Sequence, residues 1–213
     1  MVLFWFRRDL RFEDNHALYR ALKSGTDVMP IFIYDSDITN KLNKNDHRLK
    51  YISETIETLN RKLEANKKKI YTFSGKPINI ISDLIKKFNI KEIYLNKDYE
   101  PYARERDDEI KKKCETNGII FRSFKDHVIF EEDEIVKKDG TPYVVYTPYS
   151  KQWIDKFESN PIKTFNSEGN LECLVDTSKI NNNDYKIGFN KNTIQPMRYS
   201  LDNSVIDKYE DTR

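Results

Sequence analysis

The side chains best suited to chemistry in this chain fall in three short blocks. They are Arg7-Arg8-Asp9-Leu10-Arg11, Asp35-Ser36-Asp37, and the run NKDYEPYARERD at residues 96–107. Guanidinium groups present a planar fork of donors that suits carboxylates, phosphates and flat conjugated rings. Carboxylates beside them accept from ring N–H and hydroxyl groups. What these blocks lack is equally informative. No serine–histidine–acid or cysteine–histidine arrangement can be argued from spacing. His16, His47 and His127 share no metal-ligand spacing and read as ordinary polar residues. The six glycines form neither a Gly-x-Gly motif nor a phosphate loop, which disfavours a backbone phosphate cradle. Taken alone, arginines and acids of this kind most often form surface ion pairs of little energetic weight.

Their meaning depends on the elements that position them. Residues 2–6 (VLFWF) and 28–34 (VMPIFIY) are apolar throughout, as strands buried on both faces are. Between them Ala17, Leu18, Ala21 and Leu22 share one helical face. Leu49, Ile52, Ile56, Leu59 and Leu63 step by three and four, an amphipathic helix. Residues 69–73 read as a third strand, and Ser74-Gly75-Lys76-Pro77 as a turn whose proline opens the next helix. Residues 92–95 read as a fourth strand, 103–114 as a highly charged helix, and 119–124 as a fifth strand. Strands alternating with helices predict an α/β fold: a doubly wound, five-stranded parallel sheet with helices on both faces. In such sheets ligands bind beyond the carboxyl ends of the strands, at the switch point. The three charged blocks follow strands one, two and four, so they line a crevice. Tyr143, Tyr146, Tyr149 and Trp153 read as packing rather than a base-stacking platform. From residue 158 periodicity fades, and 158–213 reads as an irregular linker with one or two short helical pieces.

Composition narrows the function classes. With 37 Lys+Arg against 35 Asp+Glu the net charge is +2, so there is no bulk electrostatic case for nucleic-acid binding. The two cysteines, Cys114 and Cys173, have neither metal nor partner spacing and read as reduced thiols of a cytoplasmic protein. No apolar stretch approaches the roughly 20 residues of a membrane span, and Arg7 to Asp9 interrupt the first apolar run too early for a signal peptide.

The motifs themselves resemble the DNA photolyase and cryptochrome family. FWFRRDLRFEDNHAL (residues 4–18) is similar to the family's opening. His47-Arg48-Leu49, Gly75-Lys76-Pro77, DYEPYARERD (98–107) and GTPYVVYTPYSKQW (140–153) follow in family order. The resemblance covers residues 1–157, which it implies are an antenna-chromophore domain. It makes 158–213 a linker toward a helical domain that would bind the catalytic FAD and damaged DNA. YEDTR, at 209–213, resembles the segment just before that domain. The break so close to a domain border favours a piece of a longer chain over a naturally short product. The whole protein would then be a light-driven lyase splitting pyrimidine dimers, or a cryptochrome-type photoreceptor. This part would have no catalytic side chain and little affinity for DNA.

The resemblance also assigns antenna contacts: Ile33, Tyr34 and Asp35 at the end of strand two, Arg48 opening the next helix, and Asp98 and Arg106 after strand four. Arg48 and Arg106 would fix the ring edge or tail, and Asp35 and Asp98 would accept from ring N–H or ribityl groups. Tyr102-Ala103 stands where the folate-binding branch has Asn-Glu, which argues against a methenyl-folate antenna; deazaflavin, FMN and FAD all remain. Arg7 and Arg8 would sit at the crevice mouth, with Asp9 and Arg11 pairing to shape the loop. From other classes, a stand-alone nucleotide-binding module and a ligand-free interaction module also remain. The motifs say nothing of oligomeric state.

Overall fold

The computed structural model describes residues 1–43 and 46–180. Five strands, β1 (Val2–Phe6), β2 (Val28–Asp35), β3 (Tyr71–Gly75), β4 (Glu92–Asn96) and β5 (Ile120–Phe124), form one parallel sheet in the order β3-β2-β1-β4-β5. The sheet is the expected doubly wound one. The chain first winds outward from β1 through β2 to β3, then crosses back to β4, so the switch point lies between β1 and β4.

Alternation along each strand sorts the core into two layers. Val2, Phe4 and Phe6 pack with α1 (His16–Leu22) and α3 (His47–Glu64), while Leu3 and Trp5 face α4 (Pro77–Lys87) and α5 (Pro101–Thr116). Both layers are apolar, which is why β1 and β2 read as continuous runs without polar alternation. A short helix, α2 (Ser36–Thr39), follows β2 directly. Proline occupies the first turn of both α4 and α5, where its missing N–H costs no helical bond. In α3, Ile56, Leu59 and Leu63 are buried, whereas Leu49 and Ile52 at its N-terminal end are only half-buried.

Two details depart from the sequence reading. The third strand lies two residues later than expected, at Tyr71–Gly75, because Gly75 pairs with Asp35 at the end of β2 and is no turn residue. Residues 146–159 form a sixth helix, α6 (Tyr146–Ser159), none of whose residues is buried. Within it Trp153 stacks on Phe157 at 5.1 Å and meets Phe130 edge-on, Tyr149 meets Tyr143, and Tyr146 is exposed.

The described part of the expected linker, up to Ile180, is irregular apart from two 3₁₀ turns, yet it straps back onto the sheet. Val175 donates to the Val28 carbonyl at 2.8 Å, occupying the edge of β2 that β3 leaves open. Leu174, Val175 and Ile180 are buried there. Residues 181–213, the rest of that expected linker, lie outside the described residues.

Candidate functional site

The opening charged block owes its place to a buried polar network. Asp9, Asn15 and Asn96 are all buried. Asp9 accepts from the Arg7 backbone N–H at 2.7 Å and from Asn96 Nδ2 at 2.5 Å. Asn96 Nδ2 also donates to Asn15 Oδ1 at 2.8 Å, and Asn96 Oδ1 accepts from the Ala17 N–H at 2.9 Å. Asn15 in turn caps α1 through the Leu18 N–H. These bonds tie the loop after β1 to the end of β4 and the start of α1, so Arg7 and Arg8 leave the sheet in fixed directions.

The Arg7 side chain is almost wholly covered, and it lines the cleft beside Arg8. Its Nη1 lies 2.7 and 2.6 Å from the two Asp107 oxygens, and its Nη2 donates to the Asn96 carbonyl. Burial pulls the Arg7 pKa down, against the opposing pull of Asp107. Arg106 shares the same carboxylate at 3.1 Å and stands 3.7 Å from Asp35. Both guanidinium carbons lie over the buried Trp5 ring, at 5.4 Å for Arg7 and 4.9 Å for Arg106. Arg8 does stand at the mouth, 2.6 Å from Glu100 and 3.4 Å from Asp98. The expected Asp9–Arg11 pair does not form. Asp9 is spent inside the network, and Arg11 turns outward to Asp126 at 2.9 Å, pinning its loop to the segment after β5.

Beyond the ends of β1, β2 and β4 lies a cleft of about 300 Å³, at the small end of the roughly 300–1,000 Å³ range of ligand pockets. All six residues assigned from the sequence, Ile33, Tyr34, Asp35, Arg48, Asp98 and Arg106, line it. They differ in how free they are. Asp35 caps α2 through the Asp37 N–H at 3.0 Å and accepts from the Tyr102 hydroxyl at 2.7 Å. Burial, then the Asp35 carboxylate, hold the Tyr102 proton on by raising its pKa. Arg48 is exposed at the rim and clamped by Asp46, at 2.9 and 2.7 Å. Asp98 is buried, and among the described residues it has only long contacts, 3.4 Å to Arg8 and 3.5 Å to the Glu100 N–H. It keeps the most capacity to accept.

The cleft also uses residues that the sequence reading left out. Trp5 lies at its floor, Phe32 and Tyr102 form walls, and Leu49 and Ile52 of α3 reach it, which explains their half-burial. The signal for Tyr102 was present: Tyr102, Ala103 and Arg106 share one face of α5, and all three line the cleft.

A doubly wound sheet with an aromatic, polar-edged cleft beyond its strand ends is an arrangement in which flat-ring and nucleotide ligands commonly bind. The family model described as DNA photolyase matches residues 2–167, and the chain belongs to that family. It is 29% identical over 163 residues to a deoxyribodipyrimidine photo-lyase of Synechococcus, covering 76% of this chain and 34% of that protein. It is 26% identical over 186 residues to cryptochrome-1 of Macaca fascicularis, covering 86% and 32%. Among solved structures, an archaeal photolyase from Sulfolobus tokodaii superposes with a TM-score of 0.62 at 25% identity, covering 76% of this chain and 35% of that one. That structure holds two FAD molecules, with the implication of a novel light-harvesting cofactor. The chain thus spans about a third of the length of the relatives it matches. No helix among the described residues is long and apolar enough to cross a membrane.

Proposed function

We propose that this chain is the antenna part of a longer, cytoplasmic deoxyribodipyrimidine photolyase, and that its cleft holds a planar flavin-type chromophore. The observation that carries the reading is the convergence of the six assigned residues and Trp5 on one cleft at the switch point. The residues present suit such a ring. Trp5, Phe32 and Tyr102 offer flat apolar surface, while Asp98 and Asp35 offer acceptors at its edge. The second FAD of the Sulfolobus tokodaii photolyase supports the same reading.

When bound, the chromophore would supply absorption of near-ultraviolet or blue light for a catalytic FAD held in another part of the longer protein. The chain's own residues only bind and orient. Arg106, fixed by Asp107 and Asp35, stiffens the wall, and Asp98 accepts from a ring N–H or hydroxyl. Damaged DNA would be engaged by the longer protein, with weak affinity in this part because its net charge is only +2. A cryptochrome-type photoreceptor is the second reading, favoured by the longer match to cryptochrome-1, 186 residues against 163. Dimer repair under blue light by the longer protein separates the two.

The test of the cleft is titration with FMN, FAD and a deazaflavin, followed by ring fluorescence. Quenching by at least one is expected, and Asp98→Ala should weaken it about ten- to hundredfold, the worth of one hydrogen bond to a charged group. Absence of binding by all three would replace the antenna with an interaction module.

A further inference from the structure

A second cleft, of about 490 Å³, opens beyond the carboxyl end of β5. It lies between the start of α1, the segment after β5, the end of α6 and residues 160–165, and it shares no lining residue with the first cleft. Phe130, Ile162 and Phe165 give it apolar surface. The His16 ring stacks on Phe165 at 3.8 Å, and its Nδ1 lies 3.0 Å from the Lys125 carbonyl. A carbonyl only accepts, so Nδ1 carries the proton and Nε2 is left to accept from Arg20 Nε at 3.3 Å. That bond holds Arg20 at the cleft by one donor, and among the described residues its two Nη groups have no acceptor. The acids here are all engaged. Asp126 meets Arg11 at 2.9 Å, Glu134 meets Lys125 at 2.7 Å, and Asp14 accepts from the Phe165 N–H at 2.8 Å. Among the described residues Arg20, Lys156 and Lys163 have no carboxylate partner, Lys156 donating instead to the Glu134 carbonyl. Set against the single unpaired carboxylate of Asp14, these three cations leave an excess of two positive charges. A phosphate monoester carries about two negative charges and three acceptor oxygens, which a guanidinium fork and a lysine can share.

We propose that this second cleft binds a phosphate monoester, with Arg20 as its forked donor, Lys163 as a second counter-ion, and Phe130 and Phe165 lining the space for the esterified group. The site is independent of the antenna cleft and would stand if that cleft held no chromophore. A small phosphorylated compound is the expected source, because a net charge of +2 gives little general attraction for nucleic acid.

The test is NMR titration of the chain with AMP, adenosine and a single-stranded oligothymidylate at constant ionic strength. AMP should shift the ring C–H resonances of His16 and His127, which line the cleft, and adenosine at the same concentration should not. His47, at the start of α3, is the control for binding elsewhere. Arg20→Gln should weaken AMP binding at least about tenfold, the worth of one hydrogen bond between charged groups. Lys163→Gln, an exposed change, should weaken it severalfold. Oligothymidylate binding tighter than AMP, and lost in the same two variants, would keep the phosphate site and make nucleic acid its source. No shift of His16 at millimolar AMP, a shift of His47 alone, or an AMP affinity unchanged in Arg20→Gln would each overturn the site.

Discussion

Asp107 is the residue whose loss should be felt most for its size. It stands between two guanidinium groups whose side chains are only 6% and 9% exposed, those of Arg7 and Arg106. In Asp107→Ala both cations stay buried and lose their strongest partner. Breaking a buried pair by removing one member costs about 3–5 kcal/mol, because an uncompensated charge remains. Here the low end applies, about 3 kcal/mol, since Arg7 keeps the Asn96 carbonyl and Arg106 keeps Asp35 at 3.7 Å. For a chain of this size that corresponds to a fall in melting temperature of roughly 6–12 °C. Asp107→Asn retains an acceptor without the charge and should fall between wild type and alanine. The assay is thermal unfolding followed by tryptophan emission, which samples Trp5 beneath the two cations. Arg104→Ala is the control, because its partner Glu132 is on the surface and its loss should leave the melting temperature unchanged. An Asp107→Ala shift no larger than that of Arg104→Ala would refute the view of Asp107 as the counter-ion of a desolvated pair.

Three further outcomes are expected. Ser167→Ala leaves the buried Asn15 N–H without its acceptor at 3.0 Å and should cost about 1–3 kcal/mol by chemical denaturation; a change within error would mean the strap through residues 162–180 adds no stability. The Tyr71 hydroxyl is buried with no hydrogen-bond partner among the described residues, and its pKa is pushed from 10.0 up to about 12 by burial first and Asp176 second. The folded state therefore holds that proton more tightly, so this contribution is full below pH 10 and is lost as pH rises through about 12. Tyr71→Phe should leave neutral-pH stability equal or higher and flatten that alkaline loss, as pH-dependent melts can check. Asp46 is held at about 2, below its ordinary 3.8, chiefly by the Arg48 hydrogen bonds. Its contribution is thus present above pH 3.8 and lost as pH falls through about 2; a carboxylate titration by NMR should show its midpoint rising toward 3.8 in Arg48→Ala.

The sheet was legible because burial on both faces leaves a signature in single residues. VLFWF and VMPIFIY contain no polar alternation, and each turned out buried along its length. The third strand slipped by two residues for a reason that composition cannot carry. Its end is fixed by pairing with Asp35 on β2, and the apolar run KIYTF does not mark it; Gly75 follows that pairing with φ at +137°. The strap of residues 162–180 was illegible for a related reason. Leu174, Val175 and Ile180 each drop singly into the edge of an existing core, so they need no helical or strand period.

The site divides along the same line. Its location followed from strand ends and the switch-point rule, and the six assigned positions came together in one cleft. Which charge meets which was decided by distance in the fold. Asp9 and Arg11 are two residues apart yet their side chains belong to different networks, while Arg7 and Asp107, a hundred residues apart, meet at 2.6 Å. The three arginines and one aspartate after β1 therefore do separate work. Arg7 and Asp9 hold β1 to β4 and α5, with Arg7 also lining the cleft; Arg11 anchors the segment after β5; Arg8 is the exposed cation at the cleft rim. A buried strand can end in that much fixed charge because nearly all of it is neutralised within a few ångströms.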